Sequence, residues 1–427
     1  MTATLARGLS PVRAVLDNGA VLLVQENSSA PAVTINATVL AGSMYDPADV
    51  PGLAYMTGRV IDRGTERRPA QVIAEELDER GVSLKAGTSR HTMTVSCTCL
   101  AEDFPDLLAL VVDVLRHPAF PPAELAKRRA ETITRLRQDE DNPAVRATLA
   151  LISLLYGPHH PYGRPARGTV ETIERIERDQ LASFHARHVR PSVLTLAVVG
   201  DVREGLVLEH AASALDDWTG GPAGSIVVPP PALPATRREL VISMPGKSQA
   251  DIAYGFTTIS RLDPRYYAYW MMNNILGQFG LGGRLADNIR ERQGMAYHVF
   301  SAFDPSVGEG PLLVRAGVDP KNVKRAIRAI DEEVRQFGAN GPTSVEMEET
   351  RVYLIGSIPR LLETNQSIAA FLQTSEQFGL GLDYDQRLPA LLRAVTIDEV
   401  RAAASEVLVP ERAAVAVAGP PDGEAQA

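Results

Sequence analysis

The chain repeats itself, and that repetition constrains its fold more than any other feature. Residues 176–200 read I-E-R-D-Q-L-A-S-F-H-A-R-H-V-R-P-S-V-L-T-L-A-V-V-G, and residues 395–419 read V-T-I-D-E-V-R-A-A-A-S-E-V-L-V-P-E-R-A-A-V-A-V-A-G. Ile176 aligns with Val395, Asp179 with Asp398, Leu181 with Val400, Pro191 with Pro410 and Gly200 with Gly419, all at an offset of 219 without a gap. Each copy reads as a helix, a proline turn, an apolar strand and a glycine stop. Five matches in register with one element order point to duplication. A chain of 427 residues also exceeds one ordinary domain and suits two. The expected domains are 1–220 and 237–427. Between them, 221–236 is rich in proline and glycine and reads as a stiff linker.

Within each half, strand and helix signals alternate. Residues 20–25 and 33–40 read as strands, and 71–80 as a short helix stopped by Gly81. Leu107, Leu108, Val111, Val114 and Leu115 form a helical stripe, and 123–141 is a long charged helix ending before Pro143. In the second half, 251–256 and 311–316 read as strands, and Asp319-Pro320 as a cap and first turn. Val323, Ala326, Ile327, Ile330 and Val334 follow at helical spacing. The predicted class is α+β: two homologous domains, each a mostly antiparallel sheet covered by helices.

The net charge is −9 and no long basic run occurs, which argues against nucleic acid as a partner. No segment approaches the ~20 apolar residues of a membrane helix, so no membrane partner is expected. The N-terminal residues lack the apolar core of a secretory signal, which suggests the cytoplasm, or the periplasm if a signal was removed before the numbering begins. Cys97 and Cys99, the only cysteines, sit two apart in a predicted strand and so face one side as reduced core residues.

Residues 51–65 read P-G-L-A-Y-M-T-G-R-V-I-D-R-G-T. This resembles the P-G-L-A-H-x-x-E-H-x-x-x-x-G-T segment of the pitrilysin/insulinase-type metallopeptidases, the inverzincins. In that family the inverted motif supplies two zinc-binding imidazoles and a carboxylate base. Here Tyr55, Gly58 and Arg59 stand in those places. The resemblance puts the family's third ligand, a Glu about 75 residues beyond the second His, near Arg135. Glu131 lies one helical turn away and is not counted. The resemblance continues in L-D-N-G-A-V-L-L-V-Q-E from Leu16, P-H-H-P-Y-G-R-P from Pro158, V-V-G-D from Val198, and S-Q-A-D-I-A-Y-G-F, D-P-R-Y-Y-A, N-N-I-L-G and G-G-R-L-A-D-N-I-R-E-R-Q-G-M-A-Y in the second half. It implies the two-subunit, mitochondrial-processing-peptidase-like branch, with this chain as a subunit that holds no metal and zinc carried by a homologous partner in a heterodimer.

The resemblance singles out Arg290 and Tyr297. In family members the corresponding pair reaches a zinc site on another domain or subunit. A phenol and a guanidinium there would hydrogen-bond the oxyanion formed when a peptide carbonyl is attacked. The expected function is therefore catalytic support of a metallopeptidase that cuts peptides or unfolded segments, bound as an added strand on a sheet edge. The alternative is a structural or peptide-binding relative with no catalytic contribution.

Other candidates read blandly. His185 and His188, at i and i+3, suggest a solvent-facing helix end. His160 precedes Pro161 and suits a turn. Residues 139–141 form an acidic, solvated run. The glycines at 277, 280, 282 and 283 lack a following G-K-[ST] and suit a turn between helices.

Overall fold

The computed structural model describes residues 8–221, 227–232, 234–278 and 282–421. Residues 222–226 and 233 of the expected linker, and Gly280, lie outside these.

The first sheet contains β1 (Val12–Val15), β2 (Val21–Glu26), β3 (Ala32–Val39), β4 (Lys85–Thr88), β5 (Met93–Leu100) and β6 (Leu194–Gly200), in the order β1-β2-β6-β3-β5-β4. The second contains β7 (Arg238–Ser243), β8 (Ala250–Thr257), β9 (Ala296–Phe303), β10 (Pro311–Val318) and β11 (Ala414–Gly419), in the order β7-β11-β8-β10-β9. In both, the last strand of the half inserts between two earlier strands. It runs parallel to one neighbour (β2 for β6, β7 for β11) and antiparallel to the other (β3 for β6, β8 for β11). All remaining pairs are antiparallel. Gly200 and Gly419 end equivalent strands, as the 219-residue repeat requires.

Alternation decides the faces of the first sheet. Val33, Ile35, Ala37 and Val39 on β3, with Met93, Val95, Cys97 and Cys99 on β5, are all buried. Thr34, Asn36, Thr38, Thr94, Ser96 and Thr98 point to the opposite face. There Thr34 and Thr98 hydroxyls pair at 2.8 Å, and Thr38 and Thr94 at 2.9 Å.

The compact units do not follow the halves of the sequence end to end. One gathers Met1–Arg135, Pro165–Ile226 and Ile358–Arg387; the other gathers Leu136–Arg164, Val227–Ser357 and Leu388–Ala427. Each unit therefore takes a helix from the other half of the chain. In the first, the helix Asn365–Gln377 packs on β6 and β3, with Ile368, Ala369 and Leu372 against Leu23, Ala197 and Val199. Gln373 Nε2 also donates to the carbonyls of Asn36 (2.7 Å) and Thr195 (3.1 Å). In the second, the helix Pro143–Tyr156 packs Leu151 and Leu155 on Ala253, Ala414, Ala416 and Ala418. Small strand residues let that helix approach closely, and Gly255 extends the effect: a Cβ there would stand 2.5 Å from the Leu312 carbonyl oxygen and 3.3 Å from Leu151 Cδ2.

Among the described residues no helix is long and apolar enough to cross a membrane.

Candidate functional site

The helix Leu53–Val60 carries the altered motif. Its start is built by the residues just before it. Gly52 adopts φ 96°, a conformation that favours glycine. Asp46 accepts from the backbone N–H groups of Gly52 and Ala54, both at 2.7 Å, and so supplies the helix with an acceptor at its N-terminus. The Thr172 hydroxyl donates to the Pro51 carbonyl at 2.9 Å. The P-G-L-A segment thus has a framing task independent of metal chemistry, and that framing is intact here.

Past that frame, the side chains do other work. Tyr55 and Arg59 lie one turn apart on the half-buried side of the helix. Gly58 is buried, and a Cβ there would collide with Thr88 Oγ1 on β4, which itself donates to the Ala54 carbonyl at 3.3 Å. Arg59 Nη2 donates to Glu131 Oε2 at 2.8 Å. Glu131 sits on the helix Pro122–Glu140 and is also gripped by Arg128, whose Nη1 lies 2.8 and 2.7 Å from the two carboxylate oxygens. The hydrogen bond from Arg128 holds the Glu131 carboxyl below its ordinary value. Asp62, 7% exposed, follows two residues after the helix and lies 3.1 Å from Arg63. Burial raises its carboxyl, against the pull of Arg63, Arg128 and Arg59.

The place corresponding to two imidazoles and a base is thus an arginine–glutamate network. A guanidinium is permanently charged and offers no lone pair, so Arg59 cannot ligate a cation. Arg135 is exposed on the same helix as Glu131. The structure joins Arg59 to Glu131, the residue set aside on sequence spacing. Nothing in the local sequence signals the pair, whose partners stand 72 residues apart on two separate helices. Among the described residues no three His, Cys, Asp or Glu side chains gather as a metal ion would require. Zinc therefore does not fit the residues of this helix.

Arg290 and Tyr297 flank a turn. Arg290 lies in the helical segment Ala286–Arg292, and its Nε meets Glu291 Oε1 at 2.8 Å. Gly294, with φ 58°, turns the chain toward β9. β9 is an edge strand of its sheet. The register with β10 pairs Gly317 with His298 and Val318 with Ala296, so Tyr297 is the extra residue of a bulge. A bulge re-aims its side chain. Tyr297 is accordingly 79% exposed, while its neighbour Ala296 is buried. It borders an open cleft of about 370 Å³ with Asp319, Lys321 and Asn322; Arg290 is not among the lining residues.

The histidine pair differs from expectation. His185 does not face solvent but bonds the Leu115 carbonyl at 2.7 Å and packs edge-on to Phe120. His188 lies 4.6 Å from Phe184 and 5.1 Å from Tyr45, centroid to centroid. The helix Arg178–His188 ends against other elements of its unit, so burial lowers both imidazoles, His188 to about 4. His160 does serve a turn: its Nδ1 accepts from the Tyr162 N–H at 3.0 Å, and its Nε2 meets the Pro229 carbonyl at 2.8 Å. Cys97 and Cys99 are buried free thiols, raised by burial to about 12 and about 11.

Residues 21–169 match the family model described as Insulinase (Peptidase family M16), and residues 175–353 match Peptidase M16 inactive domain. An uncharacterized zinc protease of Mycobacterium leprae is 28% identical over 97% of this chain and 93% of its own length. A protein of Helicobacter pylori described as a non-peptidase homolog is 24% identical over 89% of this chain and 87% of its own. The crystal structure of a peptidase M16 inactive domain from Pseudomonas fluorescens superposes with a TM-score of 0.89 at 26% identity, covering 96% of this chain and 98% of that one.

Proposed function

The chain belongs to peptidase family M16, and from that premise we propose that it is the non-zinc, catalysis-supporting subunit of a heterodimeric zinc metalloendopeptidase. The observation that carries this reading is the Arg59–Glu131–Arg128 network on an otherwise intact motif helix. The frame that positions the motif is kept, while the side chains that would bind metal are replaced by a closed set of ion pairs. A homologous partner would supply the H-x-x-E-H helix and its zinc. This chain would contribute Tyr297 and Arg290, which donate hydrogen bonds to the substrate carbonyl as negative charge builds on its oxygen. The exposure of Tyr297 on a bulged edge strand supports that role: the phenol is presented outward, and the edge leaves backbone groups for an extended peptide.

A second reading, a structural or peptide-binding relative without catalytic contribution, draws support from the Helicobacter pylori relative described as a non-peptidase homolog. One experiment separates the two. The chain is isolated from its native cell with any bound partner, and peptide cleavage is measured with wild type and Tyr297→Phe. Catalytic support predicts a co-purifying chain with an intact H-x-x-E-H segment and a loss of turnover on the order of 10²–10³-fold without loss of assembly. Full turnover in Tyr297→Phe, with the partner bound, leaves the structural reading. Absence of any M16 partner overturns the heterodimer.

A further inference from the structure

The two sheets are built on one plan, and one strand of that plan is vacant in the second. Val21 of β2 pairs with Thr195, and Arg238 of β7 pairs with Ala414, the residue at the repeat offset from Thr195. β7 is therefore the counterpart of β2, with Leu240 in the place of Leu23 and Val241 in that of Val24. In the first sheet β1 lies outside β2, antiparallel to it, and pairs Val12 with Val24, Arg13 with Leu23 and Val15 with Val21. In the second sheet β7 is itself the edge, with no strand beyond it among the described residues. Leu23 and Val24, with β1 beside them and helices over the sheet, are 0% and 1% exposed. Leu240 and Val241 are 43% and 74% exposed.

The sequence explains the vacancy. The residues at the place of β1, 229–232, read Pro-Pro-Pro-Ala. Proline has no N–H to give to a ladder. The segment is held elsewhere in its unit, with the Pro229 carbonyl 2.8 Å from His160 Nε2. The outer edge of β7 is thus open. The Arg238 and Met244 N–H groups donate inward, to the carbonyls of Ala413 and Gly419 at 3.0 and 2.7 Å. Alternation then turns the N–H and C=O groups of Glu239, Val241 and Ser243 outward. Arg237, just before the strand, is engaged by Glu239 and Asp331. Arg238 has no such partner. It is half-buried, its Nε and Nη2 are buried and unbonded, and its Nη1 alone reaches the surface. Burial lowers this guanidinium, and no carboxylate among the described residues offsets the effect.

We propose that the outer edge of β7 docks an extended segment of a partner protein, which adds as an antiparallel sixth strand and sets a carboxylate side chain opposite Arg238. An exposed apolar edge strand is a template for such pairing. The register of β1 on β2 carries over to the added strand. Apolar side chains then stand opposite Val241 and Leu240, a polar one opposite Glu239 and an acidic one opposite Arg238. The acidic residue answers a cation that the chain itself leaves without a counter-charge. A second copy of this chain fits less well. With β7 paired on β7, the registers that keep like charges apart set Arg238 opposite Ile242 or Met244, and the cation stays unanswered. An edge of six residues, about 20 Å long, is also short for a stable dimer, which needs about 800 Å² from each partner. β7 and β9 are opposite edges of the sheet, so this docking site is independent of the role given to Tyr297.

The test is fluorescence anisotropy of the full chain with labelled peptides of about ten residues. One carries Val-Val-Thr-Glu at the register positions; the contrasting probe carries Val-Val-Thr-Lys. Saturable binding of the glutamate peptide is expected, at least about tenfold tighter than that of the lysine peptide, as one charge-assisted hydrogen bond implies. Arg238→Glu is expected to reverse that preference. Val241→Pro removes an outward N–H and leaves the bonds to β11 in place, so it is expected to abolish binding with little change in melting temperature. Four results overturn the proposal: no saturable binding of the glutamate peptide at millimolar concentration, equal binding of the two peptides, an unchanged preference in Arg238→Glu, or binding retained in folded Val241→Pro. A stable dimer of the chain alone in sedimentation, dissociated by Val241→Pro, also overturns it, because the occupant is then a second copy.

Discussion

Gly58 offers a quantitative test of how far the motif helix has moved from its family pattern. A methyl group on its Cα would meet Thr88 Oγ1, but the next atoms stand clear: Thr88 Cβ at 3.6 Å and Met93 Cε at 3.8 Å. One oxygen is therefore the whole obstacle. Gly58→Ala must push Thr88 off its rotamer, costing about 0.5–1.5 kcal/mol. It must also break the Thr88–Ala54 hydrogen bond, worth about 0.5–1.5 kcal/mol. Alanine's better helix propensity returns about 1 kcal/mol. The net is a destabilisation of about 0–2 kcal/mol. In a Thr88→Ala background the obstacle is gone, and the same substitution should stabilise by about 1 kcal/mol. The swing between backgrounds is about 2 kcal/mol, measured as a double-mutant cycle. By calorimetry this separates the two Gly58→Ala shifts by roughly 4–8 °C, given 2–4 °C per kcal/mol for a domain of 150–250 residues. Equal shifts in both backgrounds would refute the steric argument.

Restoring the motif with Tyr55→His, Gly58→Glu and Arg59→His is expected to yield no tightly bound zinc by elemental analysis, because position 58 is blocked by Thr88 and the third-ligand position still carries Arg135; one equivalent of zinc would contradict this. Leu372→Ala should destabilise the first unit by about 2–4 kcal/mol, since Leu372 is 1% exposed beneath the exchanged helix, and a neutral effect in denaturant unfolding would show that the helix does not cover that core. His91 is buried against Met44, with its Nδ1 2.7 Å from the sulfur. Burial, then Arg90, lowers its imidazole from 6.5 to about 4. The unfolded chain therefore takes up a proton at higher pH than the folded one. Stability from this group is complete above 6.5 and is lost as pH falls toward 4. His91→Gln should flatten that part of the melting-temperature profile, and parallel profiles would count against it.

Much of this protein was legible in the sequence alone. The repeat between residues 176–200 and 395–419 determined that there are two equivalent sheets, each closing on a strand that stops at glycine. The elements that the sequence reading bounded, such as 33–40, 71–80 and 123–141, fall within a residue or two of Ala32–Val39, Ala70–Glu79 and Pro122–Glu140, because side-chain period reports which face of an element is buried. That Tyr55, Gly58 and Arg59 offer neither an imidazole nor a carboxylate was also plain, since ligand chemistry belongs to residue types. Tertiary structure alone decided what each buried face meets. That the helices Pro143–Tyr156 and Asn365–Gln377 each cover a sheet from the other half of the chain is one such outcome. His185 and His188 turned inward for the same reason: two ring contacts and a carbonyl bond come from residues distant in sequence. The bulge that turns Tyr297 outward depends on its register with β10, and the bond between Arg59 and Glu131 on the packing of two separate helices. Local sequence fixes each element's period and chemistry; partners 72 residues apart are fixed only when the chain has folded.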